Sequence, residues 1–153
     1  MCVKAIGKGI FGETISTRKA PLILSAPNTV CSGSFFQISG NGLTVNHNGQ
    51  LIEFGCKEAL NLIKYMQTKF FRCLLDVVKT TQDIYQTKFI FTPVQDFTKY
   101  SDIDWTKSLD EIDEQLFRKY QLTSDEINFI KTKVQSQDNY FATLPKNPDI
   151  NQK

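Results

Sequence analysis

The chain has 153 residues, of which 41% are hydrophobic and 22% are charged, and its formal net charge at pH 7 is only +2. This composition is close to that of ordinary globular domains, and it excludes a disordered, fibrous or low-complexity protein. No run approaches the roughly 20 consecutive apolar residues that a membrane-spanning helix needs. Arg72 and Asp76 interrupt the longest candidate.

The N-terminal residues and the cysteines indicate a cytoplasmic protein. Residues 1–8 lack the apolar core and the small-residue cleavage site of a secretory signal. The four cysteines stand singly, and His47 is the only histidine that could complete a zinc site. We therefore expect free thiols and no bound metal.

A glycine motif at the start of the chain does not predict a nucleotide site. Residues 7–12 match the pattern G-x-G-x-x-G. A dinucleotide site needs a helix that begins at those glycines, but residues 13–17 are rich in β-branched side chains and have no helical period. We interpret the motif as a glycine-rich loop.

The first half of the chain favours strands. Short β-branched and aromatic runs at 35–38, 43–45 and 50–54 are separated by residues typical of turns. The Asn-Gly pair at 48–49 tolerates the positive φ angles of a type I′ turn, so residues 43–54 are predicted to form a hairpin. A further strand is predicted at 89–91.

One long amphipathic helix is predicted from Lys57 to Val78, because apolar residues recur there three and four positions apart. On a helical wheel, four cations fall within about 80° of one another beside the apolar face. They form a predicted basic stripe of Lys57, Lys64, Arg72 and Lys79. A solvated helix face and a phosphate-binding face both explain such a stripe, and the pattern alone favours the solvated face.

Two capping boxes mark the starts of two further helices. In each box, a hydroxyl residue is followed three positions later by a glutamate, and the two side chains can bond to each other's backbone amides. The two pairs are Ser108 with Glu111 and Thr123 with Glu126. We expect these helices to form a hairpin.

The complete prediction is a single α+β domain over residues 1–138. In it, an antiparallel sheet packs on the long amphipathic helix and is followed by a C-terminal helical hairpin. Residues 139–153 have two proline-containing turns and no periodicity, so we expect a loose tail.

The sequence contains no complete catalytic apparatus. Methylation of a base would require an Asn or Asp followed by two prolines and an aromatic residue, but the chain has no Pro-Pro pair. Metal-dependent hydrolysis of DNA would require clustered carboxylates with a lysine, and no strand offers them. We expect no activity from this chain in isolation.

A consecutive block of motifs over residues 63–134 resembles one protein family. The block consists of Tyr65–Leu75, Lys79–Asp83, Phe91–Phe97, Ile103–Ser108, Ile112–Tyr120 and Leu122–Ile127. It is similar to the C-terminal target-recognition region of bacterial adenine-specific DNA methyltransferases of type II restriction-modification systems, including fused enzymes that also cut DNA. Upstream, Ile10–Gly12 and Ala26–Cys31 resemble the same region more weakly.

This resemblance implies double-stranded DNA and a methyltransferase core as partners. The cofactor S-adenosylmethionine would bind that core, so no cofactor is expected here. The resemblance makes the helix cations and the polar residues after them candidate phosphate contacts: Lys64, Lys69, Arg72, Lys79, Thr80 and Gln82. Candidate base or groove contacts are Arg18, Lys19 and Asn28.

Two alternatives remain open at the level of sequence. Residues 1–99 carry a formal charge of +5 and residues 100–153 carry −3. In the first alternative, the acidic helices around Asp110 to Glu114 and Asp125 to Glu126 dock onto a catalytic subunit of a restriction-modification complex while the basic face is merely solvated. The other alternative is a small restriction endonuclease, for which Asp76, Asp83 and Lys88 are the only candidate residues.

Overall fold

The computed structural model describes residues 2–6, 22–25, 35–38, 43–45, 50–53, 55–78 and 86–134, with side chains for 50, 55–78 and 89–134. The N-terminal strands form two small antiparallel groups. The first group has the order β2-β1-β3 and the second pairs β4 with β5. The strands are β1 Cys2–Ile6, β2 Leu22–Ser25, β3 Phe35–Ile38, β4 Leu43–Val45 and β5 Leu51–Glu53.

From residue 55 onward, every regular element that the structure describes is helical. The elements are α1 Cys56–Gln67, α2 Lys69–Val78, a 3-10 helix Gln86–Phe91, α3 Leu109–Lys119 and α4 Ser124–Lys133. We call residues 92–108, between the 3-10 helix and α3, the connecting loop.

The described core is formed by the four α-helices and the connecting loop. Ala59, Ile63 and Ile112 are fully shielded from solvent, and Leu116 and Phe117 pack with them. An aromatic group extends this core toward the connecting loop. In that group, the Tyr65 ring lies edge-on to Phe71 at 4.9 Å and to Trp105 at 6.2 Å between ring centroids.

The predicted α+β fold, with an antiparallel sheet packed on one long helix, is therefore wrong. The described core is helical and rests on four helices. Residues 89–91, predicted as a strand, belong to the 3-10 helix. The two C-terminal helices pack on α2 rather than on a sheet. The physical reason is that their apolar faces find a partner in the second half of the long helical segment.

The long helix is also two helices, because the chain breaks at Thr68. Its backbone is extended, with φ −60° and ψ 148°. The Thr68 hydroxyl donates to Tyr65 O at 2.6 Å, which closes α1, and accepts from Phe71 N at 3.2 Å, which caps α2. The two remaining amides at the start of α2 that have no partner within the helix are satisfied from α3. The Asp113 carboxylate accepts from Lys69 N at 2.9 Å and from Phe70 N at 2.8 Å.

Both predicted capping boxes are confirmed. Ser108 and Glu111 exchange bonds at the start of α3, and Thr123 and Glu126 do so at the start of α4. The predicted tail, residues 139–153, lies outside the described residues.

Candidate nucleic-acid interface

The connecting loop is held against α1 by side-chain hydrogen bonds. On α1, Asn61 donates to Phe97 O at 2.8 Å and Lys64 donates to Trp105 O at 2.6 Å. The Trp105 indole N–H donates to Asp96 O at 2.9 Å, which joins the two ends of the loop. The bond from Trp105 is buried and the two bonds from α1 are partly buried, and together they fix the loop.

The loop is built around two Asp-x-Thr turns, at 96–98 and 104–106. In each turn, the aspartate Oδ1 accepts from the backbone N–H and the hydroxyl of the threonine, at distances of 2.6–3.0 Å. Such side-chain bonds replace backbone pairing in irregular segments. The bonds from Thr106 hold the pKa of Asp104 below its ordinary value.

Between these two turns, the loop makes a sharp reversal. Ser101 N–H donates to Thr98 O at 3.2 Å, so Lys99 and Tyr100 are the central residues of a β-turn. Tyr100 is 71% exposed, and Lys99 Nζ lies 4.9 Å from the centroid of its ring. The loop thus carries a cation and an aromatic ring at its tip.

An open groove of about 1160 Å³ lies between α1 and the connecting loop. Lys57 and Lys64, two helical turns apart on one face of α1, line one wall. Lys99 and Tyr100 line the loop wall, and the buried ring of Phe97 also contributes. Its volume lies near the upper end of the roughly 300–1,000 Å³ of small-molecule sites.

Most carboxylates beside this groove are engaged within the protein. Asp102 forms an ion pair with Lys119 at 2.8 Å, and Asp96 and Asp104 are held in the Asp-x-Thr turns. By contrast, Lys57 and Lys99 are exposed. The groove is nevertheless lined by four carboxylates, Glu58, Asp96, Asp102 and Asp104, beside the three ammonium groups of Lys57, Lys64 and Lys99.

The structure describes three members of the predicted basic stripe, Lys57, Lys64 and Arg72, and these do not form one continuous face, because the chain direction changes at Thr68. Of these three, only Lys57 and Lys64 line the groove. Lys69 donates to Lys131 O at 3.3 Å on another side of the molecule. Arg72 is only 5% exposed. Burial lowers the pKa of Arg72, while the carboxylates of Asp113 and Asp76 raise it.

Six predicted site residues lie outside the residues, or the side chains, that the structure describes: Lys79, Thr80, Gln82, Arg18, Lys19 and Asn28. Their predicted DNA contacts stay predictions. The sequence reasoning did not identify Lys99 and Tyr100. The repeated Asp-x-Thr pattern that flanks them was the available signal for an ordered turn.

Another cavity, of about 330 Å³, is lined by Asp113 together with Lys69, Asp110, Glu114, Phe117 and Lys131. Burial raises the pKa of Asp113 to about 6, although the backbone bonds from Phe70 and Lys69 lower it. Asp110 and Lys69 act on this pKa in opposite directions, the first raising it and the second lowering it. The bonds by which Asp113 caps α2 explain why this carboxylate is buried.

The nuclease alternative gains no structural support. Asp76 is exposed on α2, while Asp83 and the side chain of Lys88 lie outside the described part. Among the residues that the structure describes, no group of His, Cys, Asp or Glu could hold a metal ion.

The comparisons with known proteins identify no relative: no protein-family model, no curated protein and no solved structure matches the chain. None of the helices in the described ranges combines the length and apolar character needed to cross a membrane.

Proposed function

We propose that this chain is a DNA-binding, target-recognition module of a type II restriction-modification enzyme of the adenine-specific methyltransferase class. The resemblance of residues 63–134 to that family supports DNA as the partner. The observation that carries the proposal is the placement of lysines on both walls of one groove, Lys57 and Lys64 on α1 and Lys99 on the connecting loop.

The three lysines of the groove supply the cations for this proposal, although Glu58, Asp96, Asp102 and Asp104 also line the groove. Each lysine that neutralises a phosphate releases condensed counterions, which makes such contacts favourable and dependent on salt. Lys57 and Lys99 are exposed, so they can reach a ligand without rearrangement. Lys64 has a second task, since it donates to Trp105 O and thereby holds the loop wall. In this proposal, Arg72 supports the fold and is not a phosphate contact.

The structure does not weaken the docking alternative. Glu111 and Glu126 complete the capping boxes, Glu114 forms an ion pair with Lys131, and Asp113 is buried. Five of the six carboxylates of α3 and α4 are nevertheless exposed and available to a partner: Asp110, Glu111, Glu114, Asp125 and Glu126.

In the proposed arrangement, methyl transfer and S-adenosylmethionine belong to a methyltransferase core that this module serves in the cytoplasm. The module grips the duplex and helps to select the sequence.

Binding of the full chain to a short labelled duplex, measured over a range of salt concentrations, tests this proposal. The double variant Lys57→Ala/Lys99→Ala should bind more weakly, and the slope of log K against log salt should be flatter by about one unit for each phosphate that is no longer neutralised. Arg118→Ala/Lys133→Ala is the matched control, since it removes the same charge from exposed positions outside the groove. An unchanged slope in the groove variant, or an equal weakening in both variants, would contradict the proposal.

A further inference from the structure

We draw no further inference here: the strongest candidate, the exposed apolar surface patch of Ile90, Phe91 and Val94 where the 3-10 helix meets the connecting loop, carries nothing, because no feature of the part of the chain that the structure describes shows what covers it.

Discussion

Asp113 shows how one residue can link two helices that are distant in sequence. It lies on α3, yet its two carboxylate oxygens accept from the first two backbone amides of α2. A negative charge at a helix N-terminus is favourable, because unpaired amides and the helix dipole both attract it. The same position is buried, so the charge there also has a desolvation cost.

Replacement of Asp113 by alanine should lower the free energy of unfolding by about 1–3 kcal/mol, because two buried amides would lose their acceptor. Urea unfolding followed by circular dichroism measures this change. Asp110→Ala is the matched control on the same helix. Asp110 is exposed, so its replacement should cost no more than about 0.5 kcal/mol. Equal losses of stability in the two variants would show that Asp113 does not cap α2.

The stability contributed by Asp113 should depend on pH between about 4 and 6. Its pKa is about 6 in the folded chain, against an ordinary value of 3.8, so the folded state holds its proton more tightly than the unfolded state does. This contribution is fully present below about pH 4 and is lost as pH rises through 6. Burial and Asp110 raise the pKa of Asp113, whereas the two amides and Lys69 lower it.

Comparison with Asp113→Asn isolates the effect, since asparagine does not titrate. The free energy of unfolding of the wild type relative to this variant should fall by about 2 kcal/mol between pH 4 and pH 6. The other carboxylates are present in both proteins and cancel. A difference that stays constant, or rises, over this range would contradict a raised pKa.

At the level of the elements, the end of α3 departs from the usual residue pattern. Leu122 N–H donates to Phe117 O at 3.0 Å, and Gln121 N–H donates to Arg118 O at 3.2 Å. These are the two bonds of a Schellman motif, which requires a left-handed backbone at Gln121, and its φ is 52°. Glycine is the usual residue there, because a Cβ atom is unfavourable in this conformation.

Gln121→Gly should therefore stabilise the chain by about 0.5–1 kcal/mol, after the greater flexibility of glycine in the unfolded state is included. Thermal unfolding of the two proteins provides the measurement. Gln121→Ala is the control, since alanine keeps the Cβ atom and should not stabilise. A gain with alanine as large as the gain with glycine would argue against backbone strain as the cause.

For the molecule as a whole, the helical core should unfold cooperatively, since α1, α2, α3 and α4 share it. Ile112 is fully buried in this core, whereas Ile90 is 75% exposed. Ile112→Ala should cost about 2–5 kcal/mol, because the cavity cannot close completely. Ile90→Ala makes the same chemical change and should cost no more than about 0.5 kcal/mol.

The single tryptophan provides an independent probe for this prediction. Trp105 lies in the aromatic group and donates to Asp96 O, so its fluorescence reports on the connecting loop, while circular dichroism reports on the helices. The two signals should change at the same urea concentration in the wild type and in both variants. Separate transitions would show that the connecting loop and the helices unfold independently.

The sequence alone predicted the structure correctly where the stabilising interactions join residues that are close together along the chain. The capping boxes at Ser108 and Thr123 join residues three positions apart, so their spacing alone predicted where α3 and α4 begin. The apolar periodicity of residues 57–78 was likewise helical. The same periodicity could not show the break at Thr68, because a capping threonine and an interior threonine look alike in a helical pattern.

Only the tertiary structure decided which faces meet and which cations remain exposed. The acceptor that completes the start of α2 is Asp113, more than 40 residues away in sequence. Once α2 has its own direction, Arg72 packs inward and the stripe predicted on a single helix is divided. The groove likewise depends on contacts between segments distant in sequence, such as the bonds by which Asn61 and Lys64 hold the connecting loop beside α1. Residue spacing predicts interactions within one helix or turn, whereas contacts between separate segments depend on the packing of the whole core.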